Sequence, residues 1–265
     1  MVKKEIITGN VKLQSKRIGE VNYNNFNSKM TIVEYFNSKN ITIRFDNGFI
    51  GENRIYSSFK NGQSKSPYCR SIRGMGYVGE GKHKGQINQI KTKEYNTWQS
   101  VLERVYNKDI QRQFPTYIGS SLCEEWHNFQ IFADWYDENF YEIEGHRMCL
   151  DKDILHRHNK IYSPENCVFV PNNINTLFIK CDSVRGNFPI GVTQDGKYNL
   201  HVHCSDNHSK QIKIGEFKIG QEKEAYKCYK TYKENLIKEV ADEYEDRIPK
   251  IVYDAMYRYE VEITD

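Results

Sequence analysis

The spacing of apolar residues changes several times along the chain, and each change predicts a different element. From residue 30, "MTIVEYF" and "NITIRFDNG" are runs of β-branched and aromatic residues joined at "NSKN". They predict paired strands, closed by the turn signal Asp46-Asn47-Gly48. The later stretch "IRGMGYVGEGKHKG" is Gly-rich and predicts a flexible basic linker. It lacks the G-x-x-x-x-G-K-[ST] spacing of a phosphate-cradling loop. Over 92–140 the period lengthens. Tyr95, Trp98, Val101, Leu102 and Val105 fall at helical spacing behind Thr92, a fitting N-cap. After the break at "FPTYIG", Trp126, Phe129, Phe132 and Trp135 line one face of a further helical stretch. That spacing reads as core, with a base-stacking platform as the alternative.

Residues 146–180 predict a strand (Met148–Asp151), a loop, a second strand (Cys167–Val170) and a helix from about Asn172. Pro171 suits the strand-to-helix junction, where its missing N–H costs little. Residues 188–246 hold three short alternating strands, "PIGVTQD", "KYNLHVHC" and "KQIKIGEF", then a long helix marked by Ala225, Tyr229, Tyr232, Leu236 and Val240. Pro249 sits beyond the end of that helix. Alternation along the middle strand turns Lys197, Asn199, His201 and His203 to one face, and Tyr198, Leu200, Val202 and Cys204 to the other. Gln211 and Lys213 join the first face.

The predicted class is therefore α+β, in three parts. A small β-module with a basic Gly-rich linker occupies 1–90. A helical segment and a ββα unit occupy 91–182. A three-stranded antiparallel sheet packed on a long helix, with an acidic tail, occupies 183–265.

The 265 residues are enough for a sizeable core, and 13% aromatic content argues against global disorder. No apolar run approaches the ~20 residues needed to span a bilayer. The opening "MVKKEIITGN" has no secretory pattern, so an intracellular, cytoplasmic location away from membranes is expected. Seven cysteines (69, 123, 149, 167, 181, 204 and 228) form no C-x-x-C pair and read as reduced thiols. The net charge of +3 conceals strong asymmetry: 54–93 carries nine Lys/Arg and one acid, 124–144 seven acids and no Lys/Arg, and 234–265 ten acids against four bases. The basic run suits an anionic polymer, and the alternative is a solvated charged face.

Within the strand–loop–strand–helix stretch, an aspartate on the first strand and an asparagine on the helix can present oxygens to one hard cation such as Mg²⁺ or Mn²⁺. A side-chain amide at Asn166 can pin the intervening loop. "LDKDI", "NK.YSPENCVFVP" and "IN" resemble the HNH (ββα-metal) nuclease motif, especially its phage forms. The "W.SVLERVYN…CEEW.NF..F" prelude resembles the helical segment that accompanies that group. The resemblance implies Asp151 as first metal ligand, Asn166 as loop brace and Asn175 as helix ligand. It places Lys152 at the catalytic general-base position, where the family carries histidine. An ammonium is no base near neutral pH without a large pKa depression, and Asp151 and Asp153 beside it favour the charged form. His146, His156 and His158 lie nearby in sequence.

"GVTQDGKYNLHVH…KQIKIGEFKIGQEKEAYKCYK" resembles the ethylene-response-factor (Apetala-two) DNA-binding domain, whose exposed sheet face lies in the major groove. The matching positions are His201, His203, Gln211 and Lys213. Thr193 and Asp195 stand where that family has an arginine-rich strand. Lys180 and Arg185, in the connection between the two parts, are placed to touch phosphates. Together the parts resemble phage and mobile-element homing endonucleases. They imply double-stranded DNA as partner, a divalent cation if catalytic, and no small-molecule cofactor. A non-catalytic DNA-binding or regulatory protein on a degenerate HNH scaffold is the alternative. So is a phage inhibitor that meets a host protein through acidic surfaces.

Overall fold

The computed structural model describes residues 16–178, 187–206 and 210–263. The chain divides into two compact units, Met1–Asp137 and Glu138–Asp265. Both contain helices and antiparallel sheet, so the fold is α+β.

In the first unit, β1 (Val21–Tyr23), β2 (Lys29–Asn37), β3 (Asn40–Phe45) and β4 (Ile50–Arg54) form an antiparallel meander in sequence order. Alternation buries Met30, Ile32, Ile41, Ile43 and Phe45 on one face. They pack against Phe59 of the short helix α1 (Tyr56–Lys60). The Asp46 carboxylate fastens the turn after β3: Oδ1 accepts from the Ser28 hydroxyl at 2.6 Å and Oδ2 from the Lys29 N–H at 3.0 Å. The Ser28 bond, helped by backbone donors, holds this carboxyl below its ordinary range.

The Gly-rich stretch is not the flexible linker its composition predicts. A Cβ on Gly76 would sit 2.5 Å from Leu102 Cδ1 and 2.9 Å from the Trp98 ring. Tyr77 donates its N–H to His127 O at 2.9 Å and accepts from Phe129 N–H at 3.0 Å. At Gly76, Gly79 and Gly81 the backbone packs directly on side chains, where a Cβ would collide, whereas Gly74 has open space and a positive φ of 71°. A two-residue-stranded hairpin follows, β5 (Gln86–Ile87) with β6 (Ile90–Lys91).

Helix α2 (Lys93–Tyr106) begins at Thr92, whose hydroxyl accepts from Tyr95 N–H. Helix α3 (Lys108–Gln113) is capped by Asn107. Helix α4 (Phe129–Asn139) carries the second aromatic run. Trp98, Trp126, Phe129 and Phe132 are fully buried, with ring centroids 5.4 Å apart for Trp98–Phe129 and 5.0 Å for Trp126–Phe132. The aromatic stripe is core, not a base-stacking surface. Trp98 Nε1 donates to Trp126 O at 2.7 Å.

In the second unit, β7 (Met148–Asp151) pairs antiparallel with β8 (Val168–Pro171), setting Asp151 opposite Val168 and Met148 opposite Pro171. Helix α5 (Asn172–Leu177) starts without an intervening residue. The strands β9 (Val192–Asp195), β10 (Asn199–Ser205) and β11 (Gln211–Lys218) form a second meander, packed on the long helix α6 (Glu222–Glu243). One core joins these parts: Ile154, Val170 and Ile174 cluster with Leu200, Val202 and Ile237. The boundary expected at 182–183 falls in 179–186, outside the described residues.

Three local expectations need correction. Tyr198 does not face the helix; it lies in the turn before β10 and is 64% exposed. The acidic "tail" contains helix α7 (Lys250–Tyr257), with Val252 and Met256 wholly buried at i, i+4 spacing. Pro249 caps α7 at its start rather than merely following α6. Beyond α7, Val261 is held at both backbone atoms: Glu234 accepts its N–H at 2.8 Å, and Tyr226 and Lys230 donate to its carbonyl at 2.7 and 2.9 Å.

Candidate metal site and nucleic-acid interface

Asp151 closes β7 by accepting two backbone N–H groups, from Asp153 and Ile154, on Oδ1 at 2.7 Å each. This turn starts the loop and directs Ile154 into the core. The residue is half-buried. Burial pushes its carboxyl above the ordinary range, and the two N–H donors only partly offset the loss of water.

Lys152 points the other way along the strand alternation and is 6% exposed. Its ammonium donates to both Asp153 oxygens, at 2.6 and 2.8 Å, and to Asn159 O at 2.9 Å. It also stands 5.7 Å from the Tyr162 ring centre. All three protons of an ammonium are thus engaged, with no lone pair to offer. Lys152 fastens the loop from the position where the resembled family carries its base.

Asn166 donates Nδ2 to Ser163 Oγ at 3.0 Å and to Ile161 O at 3.4 Å, tightening the turn before β8. A second brace was not read from the sequence. Asn159 donates to Lys152 O and Ile161 O, both at 2.8 Å, and accepts from Ile161 N–H at 3.1 Å. The only sequence signal was an asparagine shortly before a strand, which by itself suggests no more than a turn.

Asn175 lies in the middle of α5, half-buried between the core residues Ile174 and Leu177. Helix α5 packs on both β7 and β8, so Asp151 and Asn175 belong to one three-element unit. Two of the nearby histidines, His146 and His158, have partners of their own. The His146 ring lies 3.3 Å from Tyr244 OH, which also accepts from Asn173 Nδ2 at 2.8 Å. His158 Nε2 lies 3.6 Å from Glu262. Among the described residues, no three His, Cys, Asp or Glu side chains gather as a metal-binding group. A cation held by Asp151 and Asn175 would take one carboxylate and one amide oxygen from the chain, a set compatible with Mg²⁺ when water and phosphate oxygens complete its shell.

On the C-terminal sheet, Leu200, Val202 and Cys204 are buried towards α6. His201 and His203 lie on the opposite face, their rings 6.0 Å apart. That face is not uniformly basic. His201 Nε2 lies 3.3 Å from Asp195 and 3.9 Å from Glu216. Lys213 Nζ is 2.7 Å from Glu216 and keeps that carboxyl below its ordinary range. Glu216 was missed because β11 does not alternate throughout. The register shifts between Val202 and His203, so that His203 faces Lys213 while His201 faces Glu216. Gln211 is exposed at the edge, opposite Ser205. Lys180 and Arg185 lie outside the described residues.

Part of the basic run 54–93 is answered within the first unit. Arg70 reaches Glu124 at 2.9 Å, Arg73 reaches Glu103 at 2.6 Å, and Lys82 reaches Asp134 at 3.0 Å. His83 Nε2 is also 2.9 Å from Asp134. The hydrogen bonds from His83 and Lys82 lower the Asp134 pKa, and that from Arg70 lowers the Glu124 pKa. No family model, curated protein or solved structure matches the chain.

Proposed function

We propose that this is a double-stranded DNA-binding protein of phage or mobile-element type, with residues 148–177 as an HNH-type, metal-dependent nicking centre. The observation that carries the reading is Asp151: a half-buried carboxylate at the end of the first strand of a strand–loop–strand–helix unit. A divalent cation there would offset the cost of keeping it ionised. Asn175 would supply the second protein oxygen. When bound, Mg²⁺ would neutralise charge at the scissile phosphate and the leaving oxygen. The chain's own residues orient the site: Lys152, Asn159 and Asn166 hold the loop, and the Asp153 and Ile154 N–H groups aim the carboxylate. The sheet face with His203, Gln211 and Lys213 would rest against the duplex.

A non-catalytic DNA-binding protein is the second reading. Its specific support is the Lys152 ammonium, bound to three oxygens where the motif has its base. Two carboxylates of the acidic run, Glu124 and Asp134, are already met by Arg70, Lys82 and His83.

Supercoiled plasmid with Mg²⁺ or Mn²⁺ separates the readings. The nuclease reading expects nicking by the wild type, lost in both Asp151→Ala and Asn175→Ala. Intact plasmid alongside a salt-sensitive gel shift establishes the second reading, and no shift on any duplex at low salt removes both.

A further inference from the structure

The hairpin β5–β6 carries two local costs that folding of the first unit does not explain. Its connecting residues Asn88 and Gln89 both have positive φ, 49° and 67°, which gives the primed turn that suits a two-residue hairpin. Glutamine in that region is strained by its Cβ, a strain that glycine would have avoided. Ile87 and Ile90, cross-strand partners beside the turn, are 58% and 73% exposed. Strain and exposed β-branched side chains at one tip are the kind of local inconsistency that marks a functional element.

The tip is also rigidly mounted. Thr92 donates its N–H to Gly85 O at 3.1 Å and its hydroxyl to Lys84 O at 3.2 Å, closing the hairpin base. Lys91 Nζ donates to Gln99 of α2 at 2.6 Å, and Gln130 of α4 accepts the His83 N–H at 2.9 Å. From 81 to 93 the chain has four lysines (82, 84, 91 and 93) and no acid. A stiff apolar point is thus set among cations.

We propose that this hairpin is a wedge for duplex DNA: Ile87 and Ile90 enter the minor groove and part-unstack a base step, while Lys84 contacts the flanking phosphate. The inference rests on the DNA-binding reading above and assigns it a second contact, in the first unit. Minor-groove proteins use such aliphatic wedges to kink the duplex. Magnitude disfavours the other occupants. A lipid surface would receive roughly eight side-chain carbons, whereas even one myristoyl chain binds membranes only marginally. A second copy of this chain would bury far less than the ~1,000 Å² of a stable interface.

The test uses the full chain on a duplex of about 30 base pairs, with end-to-end energy transfer and an internal 2-aminopurine reporting kinking and unstacking. The wild type should bend the duplex and brighten the probe. The double variant Ile87→Ser/Ile90→Ser, which alters only exposed side chains, should lose both signals and bind about tenfold more weakly. Lys84→Gln should keep the signals but reduce the salt slope of log K by about one. Equal affinity and equal signals from the double variant overturn the wedge while leaving DNA binding intact. No shift by the wild type overturns both. Sedimentation with anionic phosphatidylglycerol vesicles that depends on the two isoleucines, with duplex binding unaltered by their loss, assigns the hairpin to lipid and overturns the wedge.

Discussion

In the first unit, the pairs that answer the basic run come from far apart in sequence: Arg70 and Glu124 are separated by 54 positions, Arg73 and Glu103 by 30, while Arg112–Asp109 is a local pair. In the second, Lys213–Glu216, Lys230–Glu234 and Lys250–Asp254 are neighbours three or four residues apart, with Arg157–Glu262 a long-range pair beside them. Exposed pairs of either kind contribute little to stability. They differ in what they do to the surface potential. A local pair leaves a patch of mixed sign. A long-range pair cancels a charge run that the sequence presents as continuous. The basic stretch 54–93 is therefore less positive in the folded protein than its composition suggests, and the exposed Lys84 beside the hairpin gains importance because no ion pair answers it among the described residues.

The sharpest way to break this contrast is to remove the packing that brings the runs together. Trp98→Ala deletes a fully buried ring and its bond to Trp126 O, and should cost about 3–5 kcal/mol in denaturant unfolding of the first unit. A loss below 1 kcal/mol would mean that the stretch 70–83 is not docked on α2. Gly76→Ala inserts a methyl group against Leu102 and Trp98 and should cost about 1–3 kcal/mol by the same measurement. A true linker would tolerate it without change.

The charge argument itself is tested by Glu124→Gln with Asp134→Asn. Freeing Arg70 and Lys82 should steepen the salt dependence of duplex binding by about one power of salt concentration per cation and leave the melting temperature almost unmoved. An unchanged slope would show that these cations do not face the polymer.

The smallest effect concerns pH. Burial raises the Asp151 pKa above its unfolded value, so the folded state holds the proton more tightly. The associated stability is fully present below about pH 4, the unfolded pKa, and is lost as pH rises through the folded pKa. Asp151→Asn should flatten that part of the stability profile, and added Mg²⁺ should recover stability at the high-pH end in the wild type alone. Identical profiles for the two proteins would remove the half-buried carboxylate from the argument.

Much of the architecture was legible because it follows from period alone. Alternation located β7, β8 and the three C-terminal strands to within a few residues, and helical spacing located α2, α4 and α6. What escaped depends on partners distant in sequence. Gly76 and Gly79 read as flexible until Trp98 and Asn128 are seen against them. Helix α7 was hidden by its acidic surroundings although Val252 and Met256 have core spacing. The register shift in β11 cannot be seen in one strand, since a bulge is a property of a pair. At the candidate site, the order of Asp151, Asn166 and Asn175 was readable, whereas the inward turn of Lys152 was not. Its direction is set by Asn159 and Tyr162, which no pattern around residue 152 announces.

The fastening of residues 259–262 reaches well beyond the end of α7. Arg157, in the loop after Asp151, donates to Glu260 O and lies 3.4 Å from Glu262, while its guanidinium covers the Tyr259 ring at 5.0 Å. The same few residues are gripped from the other side by Tyr226, Lys230 and Glu234 of α6. They work as a latch whose keeper lies 103 positions upstream. Trimming the chain after Arg258 should therefore be felt first as faster amide exchange around residues 156–158, next to the candidate cation site, and only afterwards at the cut.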